Sequence, residues 1–315
     1  MIHRIPSGTR DVLPDEMREL RAITDALRGV FERHGYGEVY TPTIEYESVL
    51  RRGDGGVQPA YRVVDDHGDV LALRADMTVP IARVVATRYQ TAEPPLRFCY
   101  VAHAYRQVTP HRGQMREFLQ AGIELVGAPG AAGTAEALTV LCHALDAVGL
   151  QGYRVGLGDA ALYPALLSGL GVDEEHSERL LQELATKDFV GLEREVRELG
   201  LDTDLLVGVP QLRGGSDVLA APPGPVADAL RGLRDVLDLL EDSVAEHVIF
   251  DLGLARGLGY YTGAVFDVYD PALGEPLGGG GRYDDLLGRF GRALPAVGFA
   301  IGVDRLHAAL AGEGR

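Results

Sequence analysis

The sequence predicts an α+β domain, a mostly antiparallel sheet that carries helices on one side and a helical insertion. Segments typical of paired strands occur towards both ends of the chain, at residues 61–127 and 247–302. Between them, residues 160–246 are rich in Leu, Glu, Asp and Arg at helical spacings. We therefore assign residues 1–159 and 247–315 to one core domain and residues 160–246 to the insertion.

The first third of the chain predicts a helix followed by a hairpin and a second helix. Apolar residues recur at spacings of three and four from Pro14 to about His34, and Gly35 ends this helix. The turn sequence DDHG at 65–68 separates two β-branched runs, which indicates a hairpin. Residues 79–89 predict a short helix, and residues 134–148 a further one, followed by the strand YRVGLG.

Residues 97–127 predict the clearest strand pair, and its second strand divides by period two. One face is apolar and is expected in the core. The other face mixes aromatic, polar and charged side chains, which is unusual for a merely solvated surface. The core face holds Met115, Leu119, Ala121, Ile123 and Leu125, and the mixed face holds Arg116, Phe118, Gln120, Gly122 and Glu124.

Composition and charge limit the function classes. The chain has 30 Lys and Arg against 46 Asp and Glu, a formal net charge of -16, so a large nucleic-acid interface is not expected. No apolar run is long enough for a membrane span, and the N-terminus lacks the apolar region of a signal peptide. Two cysteines at no metal-like spacing fit a reducing cytoplasm, and we expect no metal, no cofactor and no catalytic residues.

Two glycine-rich stretches each leave two interpretations open. GLGDAA at 156–161 formally matches a dinucleotide-binding loop, but it also fits a simple turn from strand to helix, because no regular βαβ pattern follows. GGGGRYD at 278–284 is either a wide hairpin loop or a floor on which backbone approaches a flat ligand closely.

Arginines and carboxylates stand out among the candidate binding residues. Arg106, Arg116, Arg256 and Arg305 each lie at a strand end or beside an extended segment. Taken singly, each arginine is typical of a surface ion pair. Taken together, the four arginines could hold a phosphate or a carboxylate. On the mixed strand face, Gln120 and Glu124 could bind an amine or an imidazole N–H. The remaining acid, Asp76, is either a second carboxylate of this site or a helix N-terminal residue.

Five stretches resemble, in order, the catalytic-domain motifs of histidyl-tRNA synthetase, and they span nearly the whole chain. The resemblance implies a class II synthetase fold that dimerises through its first helix and strand. It also implies a histidine-sized pocket and a site for ATP. The stretches are YTPTIEY, LALRADMT, AYRQVTPHRGQMREFLQAGIELVG, LARGLGYYTGAVF and GGRYDDLLGRFGRALPAVGFAIGVDRL. The implied histidine-binding residues are Asp76, Thr78, Gln120, Glu124, Arg256, Tyr260 and Tyr261, and the implied nucleotide-binding residues are Arg106, Arg116 and Arg305.

Departures from the synthetase pattern point to a paralogous family. Val108 stands where synthetases have an acid, RADMT replaces an RPEGT-like stretch, and Gly259 replaces the acid before the tyrosine pair. The chain ends ten residues after Arg305, so no C-terminal anticodon-binding domain is expected. These features resemble the regulatory subunits of ATP phosphoribosyltransferase, which keep the fold without charging tRNA and assemble with a short-form catalytic subunit.

The resemblance therefore predicts a non-catalytic regulatory subunit, needed for activity and for histidine feedback inhibition of the first step of L-histidine biosynthesis. Its expected partners are the short catalytic subunit, a second copy of itself and L-histidine, without nucleic acid or membrane. One alternative is a truncated ligase that activates histidine with ATP, since the arginine set is retained. Another is a dimeric scaffold with an empty pocket.

Overall fold

The chain folds around one large sheet, with a smaller sheet beside it. The computed structural model describes residues 4–54, 61–107, 115–220, 226–254 and 259–314. Within these ranges the strands are β1 (Gly37–Glu38), β2 (Ile44–Tyr46), β3 (Arg62–Val64), β4 (Val70–Leu73), β5 (Leu96–Tyr105), β6 (Glu117–Val126), β7 (Arg154–Asp159), β8 (Arg213–Gly214), β9 (Val248–Asp251), β10 (Ala264–Tyr269), β11 (Gly278–Arg282) and β12 (Ala296–Gly302). The helices of the same ranges are α1 (Pro14–Arg33), α2 (Glu47–Asp54), α3 (Thr78–Arg88), α4 (Gly130–Ala147), α5 (Leu162–Gly169), α6 (Glu174–Thr186), α7 (Phe189–Glu198), α8 (Thr203–Gly208), α9 (Ala227–Leu237), α10 (Asp242–Ala245) and α11 (Val303–Gly312).

The described part of the large sheet has the order β1-β5-β6-β12-β11-β10-β7-β9-β8. Its central strands, from β5 to β7, are all antiparallel, as predicted. The β1–β5 and β7–β9 pairs are parallel, so the sheet is mixed at its edges. Residues 160–246 are mostly helical, and they also contribute β8, which pairs with β9. That these residues form a separate insertion remains a prediction.

A helical layer of α1, α4, α9 and α11 covers one face of the large sheet, and the apolar core lies between them. In α1, Pro14 stands in the first turn, and Gly35, with φ +81°, follows the last turn. The apolar residues of α1 recur every three or four positions, which directs Leu27 and Phe31 to the core, where both are fully buried. Ala121, Ile123 and Leu125 of β6 meet this layer from the sheet side, as predicted.

The opposite face of the sheet is only partly covered. Phe98, Tyr100 and Ala102 of β5 pack there against α3, because alternate residues of a strand point to opposite faces. The tyrosines Tyr260 and Tyr283 complete this second apolar cluster. The uncovered part of this face is where the candidate site lies.

Both glycine-rich stretches lie within strands. The four glycines at 278–281 belong to β11, so the hairpin-loop interpretation is wrong. A Cβ on Gly278 or Gly280 would overlap a carbonyl oxygen of β12, which explains why only glycine fits there. Gly156 and Gly158 lie inside β7, and the Asp159 carboxylate accepts the Ala161 N–H in the turn before α5. That stretch is therefore the simple strand-to-helix turn, and not a dinucleotide loop.

Two boundaries differ from the sequence-based expectation. Helix α4 begins at Gly130, four residues before the predicted start, because Gly130 and Gly133 of GAPGAAGT are part of its first turns. Gly133 is buried there, and a Cβ on it would lie 2.7 Å from the Ala128 carbonyl oxygen. Met115 was predicted on the core face, but it precedes the first residue of β6 and lines the cavity described next.

Candidate functional site

A cavity of about 490 Å³ opens on the uncovered face of the large sheet. Strands β6, β10, β11 and β12 form its floor, and the start of α3 and the segment at 259–262 form its walls. The predicted residues that line it are Asp76, Thr78, Arg106, Gln120, Tyr260, Tyr261 and Arg305. Arg256 and Val108 lie outside the described residues.

Glu124 lies just behind the wall of the cavity, and its carboxylate is held by two hydroxyl groups. Thr78 Oγ1 donates a hydrogen bond to Oε1 at 2.7 Å, and the Tyr283 hydroxyl donates one to Oε2. Only 1% of Glu124 is exposed. Burial raises the pKa of Glu124 to about 8, although the two hydroxyl donors favour the charged form. This carboxyl is therefore suited to bind a cation or an N–H donor.

Gln120 lies on the same face of β6 as Glu124, four residues earlier in the strand, and lines the cavity. It is 4% exposed, and its Nε2 has no hydrogen-bond partner among the described residues. A buried amide N–H without a partner costs roughly 1–3 kcal/mol, and a ligand that accepts from it recovers that cost. The chemistry it calls for is an acceptor such as a carboxylate oxygen or an unprotonated imidazole nitrogen.

The position of Asp76 is compatible with both interpretations left open by the sequence, and its role in a binding site stays a prediction. Its Oδ1 accepts the Val79 N–H at 3.2 Å, which satisfies an N–H at the start of α3. The residue also lines the cavity, beside the first helical residue, Thr78. The α3 N-terminus thus presents a carboxylate and a hydroxyl to the site, and the hydroxyl is the one that holds Glu124.

Aromatic rings and glycines give this end of the cavity its shape. The Tyr260 ring lies 4.9 Å from that of Tyr261 and 5.7 Å from that of Tyr283, centroid to centroid. Burial raises the pKa of Tyr260 and of Tyr283 well above the ordinary value, so both hydroxyls remain protonated donors. Gly281 leaves room for the Tyr261 ring, since a Cβ there would lie 2.8 Å from its Cδ1.

The far end of the cavity holds two of the three arginines predicted for a nucleotide. Arg305 donates to Glu275 Oε2 at 2.8 Å and to the Pro276 carbonyl oxygen at 2.5 Å. Arg106 lies over the Phe118 ring, with its Cζ 4.9 Å from the centroid. Arg305 therefore already has an acid as its partner, which weakens its attraction for a phosphate.

The third arginine, Arg116, is not among the residues that line the cavity. It packs beneath the N-terminal segment, where its backbone N–H donates to the Gly8 carbonyl oxygen at 2.6 Å. A Cβ on Gly8 would lie 2.8 Å from Arg116 Cγ, so glycine permits this close approach. Period two places Arg116 on the face of Phe118 and Gln120, which do line the cavity, but Arg116 precedes β6, which begins at Glu117, so the alternation does not apply to it.

Comparison with known proteins identifies the family. A family model described as histidyl-tRNA synthetase matches residues 8–306. The curated ATP phosphoribosyltransferase regulatory subunit of Symbiobacterium thermophilum is 42% identical, over 96% of this chain and 79% of that protein. The one of Desulforamulus reducens is 38% identical, over 98% of this chain and 79% of that protein. The chain belongs to the family of ATP phosphoribosyltransferase regulatory subunits.

Solved structures agree with this regulatory-subunit assignment. A protein of Bacillus halodurans C, titled an ATP phosphoribosyltransferase regulatory subunit/histidyl-tRNA synthetase, is 33% identical with a TM-score of 0.89, over 98% of this chain and 83% of that one. A histidyl-tRNA synthetase of Nostoc sp. PCC 7120, 23% identical over 100% of this chain and 76% of that one, has a TM-score of 0.83 and shares the fold. The predicted class II synthetase-like fold is confirmed, and the family makes this chain a regulatory rather than a catalytic subunit.

Sequence reasoning missed several residues of the regulatory subunit's cavity. Tyr283 directly follows β11 in the stretch GGGGRYD. Its place next to this glycine-rich strand is the sequence feature that could have indicated a residue of the site. Asp267, Glu275 and Asp304 also line the cavity, and nothing in their local sequence distinguishes them from surface acids. In the described residues, no cluster of three or more His, Cys, Asp or Glu could hold a metal ion, and no helix is long and apolar enough to cross a membrane.

Proposed function

We propose that this regulatory subunit assembles with a short-form ATP phosphoribosyltransferase catalytic subunit in the cytoplasm and that L-histidine, bound in the cavity, inhibits the complex. The observation that carries the proposal is the pair of Glu124 and Gln120 on one face of β6. On that face lie a buried carboxylate for a cation or an N–H group and, four residues away along the strand, a buried amide without a partner in the described residues. Histidine has an ammonium, a carboxylate and an imidazole, which supply the complementary groups.

The proposed histidine site comprises Asp76, Thr78, Gln120, Glu124, Tyr260, Tyr261 and, by the resemblance alone, Arg256. The tyrosine rings and the glycine floor suit a flat imidazole, because backbone without Cβ atoms can approach a ring closely. Glu124 sits behind Thr78 and Tyr283, so a ligand reaches it by displacing or sharing these hydroxyls. Inhibition then requires only that histidine bind two states of the complex with different affinities.

The far end of the cavity supports sensing rather than ATP consumption. Arg305 is paired with Glu275, and Asp304 is paired with Arg10 at 2.6 Å. The triphosphate of ATP would have to compete with Glu275 for Arg305 and would approach the carboxylates of Asp304 and Glu275 closely. We therefore regard Arg106, Arg116 and Arg305 as remnants of a nucleotide site.

Reconstitution tests the proposal. The whole chain is mixed with a short-form catalytic subunit, and formation of phosphoribosyl-ATP is followed with and without histidine. We expect activity to depend on this chain and to fall when histidine is added. A mixture that is neither activated nor inhibited contradicts the proposal. Histidine-dependent exchange of pyrophosphate into ATP by this chain alone would favour the ligase instead.

Histidine binding should be linked to a proton on Glu124. The pKa of this carboxyl is raised to about 8 by burial, and a cation bound beside it lowers that pKa. Binding below about pH 8 therefore releases a proton, and the affinity should fall about fivefold as the pH drops from 8 to 7. Isothermal titration calorimetry in buffers of different ionisation enthalpy measures this release. Equal enthalpies in all buffers would contradict it, and Glu124→Gln, which has no proton to lose, is the control.

A further inference from the structure

Two histidine side chains meet between α1 and α4, and neither lines the cavity. His34 follows the last residue of α1, and its backbone N–H donates to the Val30 carbonyl oxygen at 3.1 Å. His143 lies one turn before the end of α4. Nε2 of His34 and Nδ1 of His143 are 3.0 Å apart, and both residues are half-buried. These two rings, here called the imidazole pair, therefore join the ends of two helices of the helical layer.

The hydrogen bond of the imidazole pair runs nearly along the line between the two ring centres. The centroids are 5.2 Å apart, which is close to the 3.0 Å between the nitrogens plus the radius of each ring. The two nitrogens therefore point at each other, so one carries a hydrogen and the other offers its lone pair. A metal ion would need both lone pairs to point at one place beside the rings, and this geometry does not provide that.

The hydrogen-bond pattern fixes how many protons the imidazole pair can take up, because a neutral imidazole has one N–H and one lone pair. A first added proton binds the outward-facing nitrogen of the donor ring, which strengthens the bond because its donor is then charged. The acceptor ring has a single lone pair, and that lone pair already accepts the bond. A second added proton can bind only there, so it breaks the bond and places two cations side by side.

Charged groups on α1 and α4 act on His34 in opposite directions. Burial lowers the pKa of His34 most, His143 lowers it next, Glu136 raises it and Arg33 lowers it. Within the described ranges, neither imidazole of the pair forms an ion pair with a carboxylate. The sum of these effects disfavours a positive charge on His34 while its neighbouring ring is charged.

The acids on the same stretch of α4 are held by other partners. Glu136 accepts the Tyr36 hydroxyl at 2.8 Å, and it accepts Nε and Nη2 of Arg97 of β5 at 2.7 and 2.9 Å. Burial acts to raise the pKa of Glu136, but the hydrogen bonds from Arg97 and Tyr36 outweigh it and hold that pKa below its ordinary value. Asp146 accepts the Tyr153 hydroxyl at 2.9 Å. Glu136 therefore stays charged between pH 8 and pH 5, and the two imidazoles are the groups of this contact that respond to pH.

We propose that the imidazole pair is a proton-sensitive latch between α1 and α4, which stays closed with up to one added proton and opens when both rings become cations. The end of α1 leads through Tyr36 into β1, the strand at one edge of the described sheet, which pairs with β5. Opening of the latch therefore loosens this edge of the sheet from the helical layer in acid. The inference is independent of the proposed function.

Unfolding of the whole chain in urea, measured from pH 8 to pH 5, tests the latch. The unfolded chain protonates both rings in acid and the folded chain only one, so stability is lost as the pH falls below the unfolded pKa of about 6.5. Through this one proton, the equilibrium constant for unfolding should rise about eightfold from pH 6 to pH 5. In His143→Gln, whose amide can turn its oxygen towards a protonated His34, this eightfold contribution should disappear.

Two further variants make the result specific. His34→Gln removes the other ring and should abolish the contribution in the same way. His67→Gln removes an imidazole whose side chain is 81% exposed, between β3 and β4, and should keep the contribution unchanged. Circular dichroism at pH 8 establishes that each variant is folded. A His143→Gln chain with the same pH dependence as the unaltered chain overturns the latch.

Nuclear magnetic resonance of the unaltered chain, labelled in its histidines, counts the protons directly. The resonances of the pair are assigned by their absence in His34→Gln and in His143→Gln. We expect one ring of the pair to titrate between pH 8 and pH 5 while the other stays neutral in the folded chain. Two rings that both become charged near pH 6.5 without loss of the fold would show that the rings are not latched, whatever the urea measurements give.

Discussion

Glu124→Ala is expected to weaken histidine inhibition strongly while leaving assembly with the catalytic subunit intact. The substitution removes the buried carboxylate to which Thr78 and Tyr283 donate. Loss of one partner of a buried charged contact costs about 2–5 kcal/mol, so the histidine concentration needed for half inhibition should rise by a factor of about 30 or more. The measurement is a histidine titration of phosphoribosyl-ATP formation, with complex mass as the readout for assembly.

Two further variants make this result specific. Glu124→Gln keeps the shape of the side chain and removes the charge, so it should weaken inhibition nearly as much. Glu178→Ala makes the same truncation on the exposed side of α6 and should change nothing. Inhibition that survives Glu124→Ala would show that histidine acts elsewhere. A variant that no longer assembles would instead show that Glu124 supports the fold.

Gly298→Ala should impair both the cavity and the stability of the sheet. A Cβ at this position would overlap the Glu124 carboxylate and lie 2.5 Å from the Ile123 carbonyl oxygen. Neither neighbour can retreat easily, since one is a buried side chain and the other is the backbone of the adjacent strand. We expect a loss of about 1–3 kcal/mol in the free energy of unfolding, together with loss of histidine binding. Chemical denaturation and calorimetry measure the two effects.

The matched control is Gly232→Ala, in the interior of α9. A Cβ there meets nothing within 4 Å, so the added methyl group should stabilise the helix by about 0.5–1 kcal/mol. If Gly298→Ala is as stable as the unaltered chain and binds histidine normally, the carboxylate of Glu124 moves freely and the cavity is not preorganised.

Much of the fold and part of the site follow from sequence pattern alone. Period two along β6 correctly places Ile123 in the core and Gln120 on the opposite face, because a strand buried on both faces still alternates. The same rule fails for Met115 and Arg116, which precede the strand. The rule needs a strand boundary, and the local sequence does not supply it.

Contacts between distant segments could not be predicted. The hydrogen bond from Tyr283 to Glu124 joins residues 159 positions apart, and Arg305 meets Glu275 across 30 positions. Each pairing depends on the strand order, which places β12 between β6 and β11. The local propensity of a segment does not determine the strand order. The pairing of Glu275 with Arg305 and of Tyr283 with Glu124 is therefore visible only in the folded sheet.

Strand β6 has a consequence for how this protein can evolve. From Gln120 to Val126 every residue is buried; alternate side chains pack against the helical layer or lie on the opposite face of the sheet, where Gln120 lines the cavity. A partly exposed residue can often be replaced without loss of stability, whereas all seven of these residues are buried and any change of side-chain volume disturbs their packing. Adaptation of effector specificity must therefore come from the segments that wall the cavity, at the start of α3 and around Tyr261, rather than from its central strand.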